Sequence, residues 1–440
     1  MKTRGLILGT LMAGACAVGT AFAQDRVDAS VKGSLLVYSK VEIKWNRTVD
    51  GAYVVAQDTF LDISNDNVDD TDVQFYFVNG DAPTDAVFVG DPPVEVERAH
   101  EGWNWVDCQT TLTGDQPAYM SMLTGAASFP TPGFPNVGDP MCQPFTILDP
   151  GFPPGRPDPE RRGGRILRGF VYVWAVGSDG NSVNAQRHWN HLAGDAILVN
   201  YALAKAAEYN AYAFQAVGDG DDGIAPETGD FIGAAGALLL NGQQYVQGFD
   251  KLLVDFYATG SFALSGALPV VVDTDFTLHP VSADLRQDTT GPVTTKAKYD
   301  IWNQNEVRFS GTEKCITCWD QTLASSYPAP NHLLRANLQT DKGKARIDGL
   351  GSTQCPLSRD ASMLGITIKE LVFIIQGKGE ATSRFASSAI TMTGQGSENA
   401  TILYDLVDAA RVNTDSAAAV PAAPVKAGGR LGRQGASSGQ

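Results

Sequence analysis

Along much of this chain apolar residues recur at every second position. In Lys40-Val41-Glu42-Ile43-Lys44-Trp45 the pattern puts Val41, Ile43 and Trp45 on one face of a strand and three charges on the other. The stretch from Val293 to Ile301 does the same, with Val293, Thr295, Ala297, Tyr299 and Ile301 facing one way and Thr294, Lys296, Lys298 and Asp300 the other. Such runs predict antiparallel strands with one wet face. Val73 to Val78, Phe170 to Val176 and Pro269 to Val272 are apolar on both faces and predict inner strands. Turn chemistry separates the runs at Asn79-Gly80-Asp81, Ser178-Asp179-Gly180, Thr259-Gly260-Ser261 and Asp341-Lys342-Gly343-Lys344. The helix signal is weak. Alanine-rich Ala202 to Phe214 reads either as a short helix or as two strands around a turn at Ala204 to Ala207.

Many short strands with this punctuation predict an all-β protein of two tandem antiparallel, Ig-like β-sandwich domains over residues 30–245 and 246–409. The division falls near 243–250, and one large sandwich is the competing arrangement. The order of strands hints at a duplication. An apolar strand ending in Asn, a Cys-led strand and a strand ending near Gly occur around Val73, Cys108 and Phe170, and again around Tyr299, Cys318 and Ile347. Residues 410–440, rich in Ala, Gly, Pro and Ser, predict a disordered tail.

The N-terminus adds a destination. Lys2 and Arg4, an apolar run from Gly5 to Phe22 and Ala21-Phe22-Ala23 have the form of a signal peptide over residues 1–23. Beyond it no apolar run is long enough to span a bilayer, so the sequence predicts no transmembrane segment in the mature chain. The expected location is the periplasm, the cell surface or the exterior. The 440 residues carry 33 Lys+Arg against 49 Asp+Glu, a net charge of −16, and losing the leader removes two cations more. A chain this acidic repels nucleic acid and anionic lipid. Of the cysteines, Cys16 leaves with the leader. Export favours disulfides among the rest. Sequence proximity pairs Cys108 with Cys142, and Cys355 with Cys315 or Cys318. The arrangement taken as the expectation is Cys318–Cys355, with Cys315 left over.

Three segments, Gln57-Asp58-Thr59-Phe60-Leu61-Asp62-Ile63, Trp302-Asn303-Gln304-Asn305-Glu306 and Leu338-Gln339-Thr340-Asp341-Lys342-Gly343, resemble a group of exported bacterial proteins with no assigned activity. The resemblance runs over most of the mature chain. It implies an exported β-rich protein and carries over no catalytic residue.

Several motifs have the outline of chemistry. Gly218-Asp219-Gly220-Asp221-Asp222-Gly223 fits a dinucleotide loop in spacing, but its aspartates repel a pyrophosphate, and Pro226 and Gly229 stand where the helix should run. Gly435-Ala436-Ser437-Ser438-Gly439 matches a nucleophile elbow but lies in the tail. Cys315-Ile316-Thr317-Cys318 lacks the helix N-terminus that activates a thiol, so a structural cysteine is favoured. His188 and His191, with Asp195 four residues later, are the clustered imidazoles. Neutral imidazoles with a carboxylate suit zinc and leave a position for water. Asn65, Asn67 and Asp69 alternate as in an oxygen-ligand calcium loop, and the Asp219 to Asp222 turn is a second acidic loop suited to weak calcium binding. Trp103 and Trp105, beside Asn104 and His100, share a strand face suited to a carbohydrate platform; the rival role is core packing.

The expected function is therefore that of a non-catalytic exported protein acting through its surface, by adhesion or by recognition of an extracellular polymer or envelope component. No cofactor is expected beyond calcium. The alternative is an exported metal-dependent hydrolase using His188, His191 and Asp195.

Overall fold

The computed structural model describes residues 32–82, 87–89, 94–97, 100–102, 105–125, 145, 153–177, 184–218, 227–263, 269–286, 292–376, 381–396 and 398–404. Residues 1–23, where a signal peptide is expected, the Asp219–Asp222 turn and residues 410–440 lie outside them. The fold is all-β, built from several antiparallel sheets, none closed. Its one described α-helix is a single turn, Arg335–Leu338. The longer strands are β1 (Leu35–Arg47), β2 (Tyr53–Asn65), β3 (Thr71–Asn79), β4 (Trp105–Leu112), β5 (Gln116–Ser121), β6 (Arg165–Gly177), β7 (Leu192–Asn200) and β8 (Lys205–Asn210). They continue with β9 (Lys251–Tyr257), β10 (Pro269–Pro280), β11 (Thr294–Asn303), β12 (Arg308–Thr317), β13 (Lys342–Leu350), β14 (Met363–Gln376) and β15 (Ala381–Thr391).

In the first half β4, β3, β6 and β1 pair side by side in that order. β2 starts beside the end of β1, at a bulge between Lys44 and Trp45. It then leaves that layer to pair with β7 on one side and β5 on the other, and β8 continues beyond β7. The two layers enclose a core of Leu36, Tyr38, Val73, Phe75, Phe77, Val171 and Val173 against Leu61, Ile63, Met120, Ala196 and Leu198. In the second half β12, β11, β13 and β9 form one sheet and β10, β14 and β15 another.

The opposite face of β3, β6 and β1 is not exposed. Val37, Tyr76, Val78, Tyr172 and Trp174 share a second core with Phe276, Leu278, Tyr299 and Ile347 from the second half. That is why Val73 to Val78 and Phe170 to Val176 lack a polar face: both faces are buried, as those runs predict. Pro269 to Val272 differs. Val271 faces solvent, because the start of β10 is covered on one side only. The halves also share hydrogen bonding, since Ala237–Leu240 pairs with Ala400–Leu403, which in turn pairs with Ala283–Asp284.

The alternation in β1 places Val41, Ile43 and Trp45 in the core, but the charged face is not wet. Lys40 and Glu42 are almost wholly buried. Lys40 Nζ lies 2.5 Å from a carboxylate oxygen of Asp275 on β10. Asp275 also accepts from Gln321 Nε2 at 2.7 Å, and Gln321 accepts from Arg168, whose guanidinium is paired with Asp81 at 3.0 and 3.1 Å. At the other end Gln57 Nε2 donates to Glu42 at 2.7 Å. Burial alone would raise the Glu42 carboxyl; Lys40, Lys44 and Arg168 outweigh it and hold the group well below the usual carboxylate range. A polar chain thus crosses from one half to the other inside the protein.

Alanine-rich Ala202 to Phe214 forms strands, not a helix. β8 and Tyr212–Phe214 follow a turn that closes earlier than the sequence suggests, with Ala204 at φ 50°. Asp341 to Lys344, predicted as a turn, contains the start of β13. Gly343, Ala345, Ile347 and Gly349 point inward in strict alternation, and that burial overrides the turn chemistry.

Asp275→Asn leaves Lys40 with the buried Glu42 carboxylate, 3.7 Å away, as its remaining counter-charge and is expected to cost roughly 3 kcal/mol. A Lys40→Met/Asp275→Leu double variant recovers part of that loss. Urea midpoints of the three proteins check the pair; equal midpoints would remove this interaction from the account.

Candidate functional site

His188 and His191 sit in the turn leading into β7. His188 Nε2 lies 3.3 Å from Asn190 Nδ2, and burial lowers the affinity of His188 for a proton. His191 faces elsewhere, with Nδ1 3.1 Å from Asp66 and Nε2 3.3 Å from Thr228 Oγ1. Asp195 lies within β7 and answers to different neighbours. Burial, then Asp62 and Glu208, raise its carboxyl to about 6. Among the described residues no group of three His, Cys, Asp or Glu side chains is gathered as metal ligands. His188, His191 and Asp195 are therefore not gathered as one such group.

The calcium-like alternation has a local explanation. Asn65 is buried; its Oδ1 accepts from the Asn67 N–H at 3.2 Å and from Trp189 Nε1 at 3.0 Å, and its Nδ2 donates to the Asp69 carbonyl at 2.8 Å. Asn67 Oδ1 accepts from the Asp69 N–H at 2.9 Å. The side chains close successive Asx turns at the end of β2.

Trp103 lies outside the described residues. Trp105 is partly buried and packs against the core. Its ring stacks on Tyr76 at 4.7 Å, Tyr76 meets Trp174 at 5.2 Å, and Trp174 meets Tyr404 at 4.8 Å. It belongs to the aromatic core joining β3 and β6 to the end of the described chain.

Among the described residues a disulfide joins Cys315 to Cys355, with Cα atoms 5.6 Å apart, and Cys318 is a free thiol. This corrects the expected Cys318–Cys355 bond. Cys315 is still in β12 and faces outward. Cys318 follows the strand at φ 54°, a turn that carries Trp319 into the first half. There Trp319 Nε1 donates to the Ser39 carbonyl at 2.9 Å, and its ring lies beneath Arg168. Cys318 Sγ is 3.6 Å from His100 Nδ1, but burial pushes the thiol up to about 12, so this is no activated nucleophile. Cys108 is also disulfide-bonded; Cys142, its expected partner, lies outside the described residues.

Buried His279 is a further group the motifs did not mark. Its ring stacks on Phe170 at 4.9 Å with neither nitrogen hydrogen-bonded, and burial holds its pKa down to about 3.

An arrangement suited to binding lies where the second half's sheets part. A cleft of about 520 Å³ has one wall from β9 and β13, with Asp255, Tyr257, Lys342 and Lys344, and another from β14 and β15, with Lys369 and Ile390. Lys342 Nζ lies 4.8 Å and Lys369 Nζ 5.3 Å from the Tyr257 ring centroid. Lys344 makes a long 3.8 Å contact with Glu306, both side chains being exposed. Gly343 lets the wall close up: a Cβ there would stand 2.7 Å from the Phe256 ring. Tyr257, Lys342 and Lys344 face each other through the β9–β13 register, Tyr257 opposite Lys342 and Asp255 opposite Lys344. The sequence carried a signal for half of this site in the Lys-Gly-Lys-Ala alternation. Lys369 comes from a strand distant in sequence and was not legible.

Compared with known proteins, the chain matches no family model and no curated protein.

Two outcomes follow from these buried groups. In the folded protein at pH 8, Cys318 resists iodoacetamide and reacts only on denaturation; mass spectrometry of labelled peptides reads this, and rapid labelling of the native protein contradicts it. His279 takes a proton near 6.5 when unfolded but only near 3 when folded. Its contribution to stability is therefore present above 6.5 and lost as pH falls toward 3, by at most about 1.4 kcal/mol per pH unit. His279→Phe flattens the acid limb of the melting-temperature profile, and an unchanged slope refutes the assignment.

Proposed function

We propose that the protein is an exported, non-catalytic recognition protein that binds an extracellular or envelope polymer through a cleft on a rigid β scaffold. The observation that carries this reading is a contrast in how polar side chains are used. The motif residues are engaged within the fold: Asn65 and Asn67 in turns, Cys315 in a disulfide, His191 against Asp66 and Thr228. At the open mouth between β9, β13 and β14, side chains of mixed charge surround an aromatic ring. Binding residues commonly sit on the rim of a scaffold that does not itself move.

Export is supported by the form of residues 1–23 and by the disulfide. Among the described residues no helix is long and apolar enough to cross a membrane. The chain is organised as two sandwich units, with the central layer β3–β6–β1 serving both. This is supported by the pairings of the longer strands, which stay within residues 35–210 or within 251–391.

The test is co-sedimentation of the purified chain with insoluble envelope and extracellular polysaccharide, with the supernatant assayed for new reducing ends. Retention without product release supports the reading. Soluble product, or stoichiometric zinc lost in His188→Ala, replaces it with the hydrolase.

A further inference from the structure

Lys369 is the least expected side chain of the cleft. It lies on β14, opposite Thr274 of β10, and is only 8% exposed. No carboxylate among the described residues comes within 4 Å of its ammonium, and no hydroxyl or carbonyl there accepts a hydrogen bond from it. What it has is the Tyr257 ring face, at 5.3 Å. Its aliphatic stem is buried, while the ammonium reaches the cleft partly desolvated and without an ion pair. Burial lowers its proton affinity, and Lys342 nearby works in the same direction, against Tyr257 and Asp255. Two cations are thus directed at one ring, with Lys344 on the same strand as Lys342. An oxyanion placed between Lys342 and Lys369 would relieve their mutual repulsion and supply the missing counter-charge.

The rest of the lining narrows the ligand. Asp255, Gln304 and Glu306 stand around the same cleft. Carboxylates and an amide accept hydrogen bonds from hydroxyls but repel a densely charged ligand that has no hydroxyl to offer them. A chain of net charge −16 adds to that repulsion and disfavours nucleic acid. The combination fits a ligand rich in hydroxyls with one acidic group per sugar. Resting on the polymer-binding reading above, we infer that the cleft between β9, β13 and β14 binds an acidic saccharide, its carboxylate or sulfate held between Lys342 and Lys369 and its hydroxyls met by Asp255, Gln304 and Glu306.

Calorimetric titration of the full chain tests this with four probes: oligogalacturonate, neutral cellohexaose, poly-glutamate and inorganic sulfate. The expected result is binding of oligogalacturonate, weakened by added salt and by about tenfold or more in Lys369→Met and in Lys342→Gln. Cellohexaose and poly-glutamate bind much more weakly. Lys342 is exposed, so its variant keeps the fold, and thermal melting verifies both variants. Oligogalacturonate binding that is equal in wild type and both folded variants overturns the site but leaves polymer recognition standing, as does equal binding of cellohexaose. Binding of poly-glutamate as tight as the saccharide assigns the cleft to an acidic peptide. Heat from inorganic sulfate alone, with no saccharide bound, overturns the saccharide site, and the polymer reading then stands or falls on the co-sedimentation.

Discussion

The buried charged face of β1 is the constraint on which the architecture depends. Lys40 and Glu42 alternate with core residues on one strand, so any register that buries Val41 and Ile43 also commits the charges to the opposite side. That side is covered by the second half, and Asp275 on β10 meets Lys40 there. Such a pair adds little over a well-packed apolar substitute, but a misplaced partner leaves a bare charge in the interior. Its main effect is to penalise every other docking of the halves. Trp319 works alongside it, delivered by the turn at Cys318 into a seat formed by Gly80, Arg168 and the Ser39 carbonyl.

This constraint explains what was legible in the sequence. The all-β class follows from the period-two runs, and Val73 to Val78 and Phe170 to Val176 announced strands covered on both faces. The cover itself was not legible. Alternation such as that of Lys40 to Trp45 reads the same whether the charged face meets water or the counter-charges of a distant strand, because Asp275 is remote in sequence. The tandem reading treated each half as having its own core, whereas Tyr172 and Trp174 share theirs with Phe276 and Tyr299. The duplicated strand order does find an echo in the pairings. β4, β3 and β6 neighbour one another as β12, β11 and β13 do; the strand beside β11 carries Cys315, and Cys318 lies just past its end.

Local motifs fared differently because they share their residues with ordinary turn and core chemistry. The Asn65, Asn67, Asp69 alternation marks Asx turns, and Trp105 marks an aromatic core. The cleft carries no motif: Tyr257, Lys342 and Lys369 converge through pairing between β9 and β13 and through the facing of two sheets. Asp341 to Lys344 was misread because glycine and aspartate are turn formers, while Gly343 is small for a steric reason beneath Phe256.

The Cys315–Cys355 bond has a mechanical corollary. It closes a loop of 40 residues that contains all of β13, the strand between β11 and β9. If the two ends of the chain were pulled apart, that loop would be withheld from the extending thread. At about 3.4 Å per extended residue, roughly 130 Å of contour length would stay locked until the bond was reduced. A thread under tension would thus yield in two lengths, one released by force and one released only by a reductant.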